Sequence, residues 1–246
     1  MGPVRTVQRQ NGVALWRQIA DRIRVSIAEG RYDETGMVPP EAALAEQFGV
    51  NRHTVRAALA ALGQEGIVRP VQGRGTLIER RERFSFPISR RTRFTEGIGE
   101  QAREIEGILL FSEVEAATIE VAKSLELERL APVLRIEALR KADGRAVSTS
   151  TSWFPMPRFE NMGDAYKQTG SITRAFGLCG LEDYVRAKTE ISAAHAEQSD
   201  LAALGLAPGA IVLMTKALNT DLDGVPVQYA VTRFPADRVQ LTVTNG

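Results

Sequence analysis

Pro40-Glu41-Ala42-Ala43-Leu44-Ala45-Glu46-Gln47-Phe48-Gly49-Val50-Asn51-Arg52-His53-Thr54-Val55-Arg56-Ala57-Ala58-Leu59-Ala60-Ala61-Leu62 is the stretch that decides how the chain begins to fold. Proline suits a first helical turn, so a short helix starts after Pro39-Pro40 with Leu44, Ala45 and Phe48 on its inner face. Gly49 supplies the turn. Asn51 is a good N-cap for a further helix that buries Val55, Leu59 and Leu62 and stops before Gly66. Two helices around a glycine turn make a helix-turn-helix. The start of its second helix is polar: Asn51, Arg52, His53, Thr54 and Arg56. Such a helix places its first residues against base edges in the major groove of double-stranded DNA. Arg52 suits a bidentate contact with guanine, and Thr54 and the helix N-terminal backbone suit phosphates. Arg56 follows one turn later on the same face.

The same logic extends in both directions. Upstream, Leu15, Ile19, Ile23 and Ile27 recur at every fourth position, which predicts an amphipathic helix ending near Gly30. Downstream, Ile67–Val71 and Thr76–Ile78 flank Gln72-Gly73-Arg74-Gly75, the pattern of a β-hairpin around a glycine-rich turn. That hairpin serves as a wing, with Gly73 letting the backbone approach DNA and Gln72 and Arg74 offered to it. Residues 10–79 thus form a winged helix-turn-helix. Residues 80–96 are basic and interrupted by Pro87, and read as a linker.

From about Gly97 the pattern becomes strand-rich. Candidate strands are Ile108–Val114, Val133–Lys141, Val147–Phe154, Tyr184–Ser192, Ile211–Asn219, Val225–Phe234 and Val239–Val243. Asp143-Gly144 and Asp223-Gly224 mark hairpins. An internal echo runs through this half. Leu125-x-Leu127, Ala138-Leu139, Asp143-Gly144, Val147 and Phe154-Pro155 return as Leu204-x-Leu206, Ala217-Leu218, Asp223-Gly224, Val227 and Phe234-Pro235. Two such halves predict one antiparallel sheet with helices on its faces, an α+β domain over residues 97–246.

Composition narrows the function. Of 246 residues, 43% are hydrophobic and 25% charged, which excludes a mainly disordered chain. The net charge of +1 hides an asymmetry: residues 1–83 hold 13 Arg against 9 acidic residues, and no Lys. Arginine is the better residue for phosphates and guanine edges. No stretch approaches the ~18 apolar residues of a membrane span, and Met1–Gln10 lacks the apolar core of a signal peptide. A single cysteine, Cys179, excludes a disulfide framework and a Cys-based zinc site. The expectation is a cytoplasmic protein with no cofactor and no metal.

Residues 13–79 resemble the winged-helix domain of the GntR family of bacterial transcription regulators. The resemblance is carried by Leu15-Trp16-Arg17-Gln18-Ile19-Ala20, Pro40-Glu41, Leu44–Arg56, Leu59–Leu62, Glu65-Gly66 and Gln72–Thr76. It implies recognition-helix contacts from Arg52, His53, Thr54 and Arg56, and wing contacts from Gln72, Gly73 and Arg74. Family members often carry an arginine after the Glu41 position, where this chain has Ala42-Ala43. Residues 84–244 are similar to the ligand-binding domain of the HutC branch, which has a chorismate-lyase-like fold, and more narrowly to its regulators of phosphonate metabolism. The passages concerned include Phe86–Glu96, Asp143–Ser148, Ser152–Pro155, Thr169–Thr173, Asp183-Tyr184 and Val231–Phe234. The resemblance implies a homodimeric repressor on an inverted-repeat operator, released or engaged by a small metabolite.

An anionic effector, a phosphonate or phosphate ester, fits the donors in this half. Arg93 and Thr95 belong to the dense run Arg90-Arg91-Thr92-Arg93-Phe94-Thr95, whose Arg90 and Arg91 equally suit DNA contact or linker cover. Ser171 and Thr173 open an apparent helix. Arg140 and Arg233 stand on the echoed hairpins and are expected to converge on one cavity. In related domains two arginines precede the Asp-Gly turn, one residue apart; here Ala138 replaces the first. Ser148 and Ser150 alternate with Thr149 and Thr151, so only one pair faces inward, and Ser150 is taken as the ligand residue along with Tyr184. A regulator of another catabolic pathway is the alternative. A DNA-tethered chorismate-lyase-like enzyme is the other, but no general acid or base can be nominated for it.

Overall fold

The computed structural model describes residues 14–79, 83–91, 97–99, 101–206 and 208–243. The chain divides into two compact units, Met1–Arg81 and Glu82–Gly246. In the first, α1 (Leu15–Ala28) is followed by β1 (Met37–Val38), α2 (Glu41–Phe48), α3 (Arg52–Gln64), β2 (Val68–Val71) and β3 (Gly75–Ile78). Ile19 and Ile23 of α1 meet Leu44 and Phe48 of α2 and Val55, Ala58, Leu59 and Leu62 of α3 in one core. Gly49 adopts φ 66°, the left-handed geometry that ends α2 and that glycine reaches without steric cost. The hairpin expected at residues 67–78 forms as β2 and β3, and β1 adds a third strand in the order β1-β3-β2. Met37 and Val38 are too short a pair to show a period in the sequence.

The second unit is built around a six-stranded antiparallel sheet in the order β5-β6-β7-β10-β9-β8. Its elements are β5 (Ile105–Ala116), α4 (Ile119–Ser124), β6 (Pro132–Ala142), β7 (Arg145–Pro155), α5 (Met162–Thr169) and α6 (Ile172–Leu178), then β8 (Val185–His195), α7 (Gln198–Leu204), β9 (Ile211–Thr220), β10 (Pro226–Pro235) and β11 (Val239–Val243). The internal echo has become architecture. The run β5-α4-β6-β7 is repeated as β8-α7-β9-β10, and the two halves meet where β7 pairs with β10. Even the caps correspond: Thr118 precedes α4 and Glu197 precedes α7.

The sheet sorts its side chains by alternation. On one face α5 and α6 pack over Ile136, Ala138 and Phe154, with Phe159 and Phe176 edge-on to Phe154 at 6.2 and 5.7 Å. On the other, α4 sets Val121, Ala122 and Leu125 against Val133 and Tyr229, and Trp153 stacks on Tyr229 at 5.7 Å.

The segment expected to be a linker, 80–96, contains a strand. Residues Phe84–Ile88 (β4) pair in parallel with β11, Phe84 opposite Val239 and Ile88 opposite Val243. Phe86 is buried and its ring lies 5.0 Å from that of Phe234. Residues 84–88 therefore belong to the second unit. Pro87 hid the strand, because proline is confined to sheet edges and bulges, and its partner is contributed by the far end of the chain.

Gly107 shows how closely α5 approaches β5. A Cβ there would fall on the carbonyl oxygen of Gly170, which ends α5, and 3.0 Å from the Tyr166 hydroxyl. Backbone cannot swing aside as a side chain can, so Gly107→Ala should cost about 1–3 kcal/mol. Calorimetry should show the transition of the second unit lowered by several degrees, and an unchanged midpoint would remove the close approach.

Candidate functional site

The first unit presents one polar helix end to solvent. Asn51 caps α3, its Oδ1 accepting the Thr54 N–H at 2.8 Å and the Thr54 hydroxyl at 3.0 Å. Both Thr54 donors are thus spent on the cap, which leaves Thr54 a positioning residue rather than a ready phosphate donor. Arg52, His53 and Arg56 are exposed, whereas Val55, Ala58, Leu59 and Leu62 point into the core. Gln72, Gly73 and Arg74 form the exposed tip of the hairpin, where Gly73 has φ 74°. Arg56 is already engaged. Its Nε and Nη2 donate to the two carboxylate oxygens of Glu41, at 3.1 and 2.8 Å, tying the start of α2 to α3. This guanidinium holds the Glu41 carboxyl below the usual carboxylate range.

In the second unit the sheet face that carries α5 and α6 borders an open, polar-lined cavity. Arg140 enters it from β6, 7% exposed, with its guanidinium 6.0 Å from the Tyr166 ring. Burial pushes the Arg140 pKa down and the Tyr166 pKa up from their ordinary values. Ser150 lines the cavity, and so do Ser148 and Ser152, since all three share one face of β7. Tyr184 and Thr173 line it too, their hydroxyls 2.7 Å apart. Ser171 lies at the wall, its Oγ accepting from the Arg174 N–H at 3.4 Å. Arg93 and Thr95 lie outside the described residues.

Arg233 does not join Arg140. It opposes Thr149 across the β7/β10 ladder, while Arg140 opposes Ser148 across β6/β7. Thr149 and Ser148 are neighbours on one strand, so the two arginines emerge from opposite faces. Arg233 instead reaches the nearly buried Asp200 of α7 at 2.8 Å and Glu197 at 3.3 Å, and so anchors α7 to the sheet. The echo already held this answer. The counterpart of Arg140 in the second half is Asn219, which lines the cavity, whereas that of Arg233 in the first half is Trp153, which packs beneath α4.

Sequence reasoning missed Arg186, Asn219 and Gln228, which also line the cavity. Nε of Arg186 donates to Asn219 Oδ1 at 2.7 Å, Asn219 Nδ2 to Gln228 Oε1 at 2.7 Å, and Gln228 Nε2 to Ser152 Oγ at 2.9 Å. Among the described residues, no group of three or more His, Cys, Asp or Glu is placed to hold a metal ion. No helix there is long and apolar enough to cross a membrane.

Residues 15–78 match the profile described as bacterial regulatory proteins, gntR family, and residues 100–240 match the UTRA domain. The chain belongs to the GntR family. Over 97% of its length it is 56% identical to an uncharacterized HTH-type transcriptional regulator, RB1450, of Rhizobium meliloti strain 1021, covering 98% of that protein. It is 32% identical to the mannosyl-D-glycerate transport/metabolism system repressor MngR of Escherichia coli K12, over 60% of this chain and 61% of MngR. The crystal structure of PhnF from Mycobacterium smegmatis superposes with a TM-score of 0.61 at 25% identity, covering 91% of this chain and 99% of that one.

This GntR-family chain is therefore a DNA-binding transcription regulator with a UTRA effector domain, and its matched families and relatives are regulators rather than enzymes. Glu41 sets a restraint on the exposed start of α3. Glu41→Gln removes a negative charge beside Arg52, His53 and Arg56 and loosens the hold on Arg56. The log–log salt dependence of DNA binding should steepen by about one ion. An unchanged slope in titrations across salt concentrations would mean that Arg56 reaches no phosphate when released.

Proposed function

We propose that the chain is a homodimeric, cytoplasmic repressor of phosphonate and phosphorus metabolism genes, binding an inverted-repeat operator and sensing a small anionic metabolite. The observation that carries the DNA half is the division of α3: apolar residues in the core, and Arg52, His53 and Arg56 exposed, in a unit whose hairpin tip also exposes Gln72, Gly73 and Arg74. Such a helix lays its N-terminal residues on base edges, with the wing against the adjoining backbone. Thr54 contributes by holding Asn51 and thereby the helix start.

The sensing half rests on Arg140, whose guanidinium is directed into a cavity ringed by hydroxyls, with Ser150, Ser171, Thr173 and Tyr184 around it. The planar fork of a guanidinium matches the oxygens of a phosphonate or phosphate ester, with which it forms charge-assisted hydrogen bonds. Binding controls operator affinity only if the effector prefers one arrangement of the dimer over another. The likeness to PhnF supports the phosphonate reading. The likeness to MngR supports the second reading, a repressor of another catabolic system that keeps the same design.

Arg52→Ala should weaken operator binding by about 1–3 kcal/mol while leaving affinity for random DNA nearly unchanged. Fluorescence anisotropy on both duplexes reads the difference, and undiminished discrimination would remove Arg52 from base recognition. Arg140→Ala should bind operator normally yet fail to respond to phosphonates at concentrations that act on the wild type. A wild-type response would take Arg140 out of the effector site.

A further inference from the structure

The chain of hydrogen bonds on the cavity floor has a direction. Arg186 can only donate, so the Asn219 carbonyl must face it, and the Asn219 NH2 group must face away toward Gln228. Gln228 repeats the arrangement and hands its NH2 to the Ser152 hydroxyl, which keeps its proton to give. Three side chains, on β9, β10 and β7, are thus oriented by one cation on β8. Two β-bulges make this possible. The ladders slip between Arg186 and Lys188 and between Pro226 and Gln228, and both slips leave Asn219 directly opposite the polar residue on each side.

Arg186 is held by neutral groups: the Asn219 carbonyl at 2.7 Å and the Thr189 hydroxyl at 3.4 Å. Among the described residues that line the cavity, none is acidic. Burial lowers the Arg186 pKa from its ordinary value, the mark of a charge withdrawn from water. Arg140 enters from β6 and Arg186 from β8, with β7, β10 and β9 between them in the sheet. Tyr184 lines the same cavity as both. The two guanidiniums therefore address one cavity from different walls.

We propose that Arg186, oriented by Asn219, is a second oxyanion-recognition point in the cavity, and that the effector is a small bifunctional acid with one oxyanion for Arg140 and another for Arg186. This rests on the reading of Arg140 as an effector contact. The second group is a carboxylate or phosphoryl oxyanion, which matches the planar fork of guanidinium. An ammonium at that end would meet like charge and the wrong hydrogen-bond polarity.

Titration calorimetry on the full chain tests this with three probes that share a phosphonate head: propylphosphonate, 3-phosphonopropionate and 2-aminoethylphosphonate. The wild type should bind 3-phosphonopropionate at least about tenfold more tightly than propylphosphonate, the worth of one charge-assisted contact, and 2-aminoethylphosphonate most weakly. Arg186→Met should level the three while leaving propylphosphonate unchanged. Asn219→Asp, which gives Arg186 a carboxylate partner and keeps the buried volume, should erase the same preference and guards against a folding defect in the first variant. Binding of all three with equal affinity, or a carboxylate preference that survives in either variant, overturns the second recognition point alone. Failure of every probe to bind the wild type overturns the anionic-effector reading with it.

Discussion

The pairing of β7 with β10 is the contact on which the sensing unit depends. Each three-strand half ends in one of these strands, and their ladder joins the halves into one six-stranded sheet. Its register fixes which residues can meet. Ser150 faces Thr232 and Thr149 faces Arg233, so a slip of one residue would put Arg233 on the same face as the serines of the cavity. The cavity is a product of that register, with the start of α6 at its wall.

A polar floor in a folded core costs stability unless its groups satisfy one another. Asn219, Gln228 and Ser152 are all 5% exposed or less, and each is bonded within the floor. The opposite face solves the same problem for structure alone: Trp153 donates to Glu115 at 2.9 Å, Tyr229 to Glu120 at 2.7 Å, and Arg233 closes on Asp200. The two faces of the sheet, to which both halves contribute, thus differ: a polar cavity on one and the anchoring of α4 and α7 on the other.

In the DNA-binding unit the controlling constraint is the short interval from Gly49 to Asn51. The left-handed glycine turns the chain, and the asparagine cap starts α3 with its polar end exposed. Apolar residues at helical spacing then leave Arg52, His53 and Arg56 no place except the surface. Glu41 adds a restraint, holding the exposed Arg56 guanidinium against the start of α2.

The helix-turn-helix was legible in the sequence because every step from Pro40 to Leu62 is local: cap, turn and apolar period lie within a few residues of one another. Hairpins at Asp143-Gly144 and Asp223-Gly224, the strands between them and the duplication were legible for the same reason. Tertiary structure decided what no local period carries. The β4–β11 pair joins residues far apart in the chain and is masked by Pro87. The fate of Arg233 depended on its register against β7, and that of Arg186 on a bulge that breaks alternation between it and Lys188. The sequence by itself determined most of the segments that become helix or strand and the helix whose polar start is exposed. Only the assembled sheet decided which charges share a cavity, because the face a strand residue occupies depends on its partners and its bulges as well as on its neighbours in the chain.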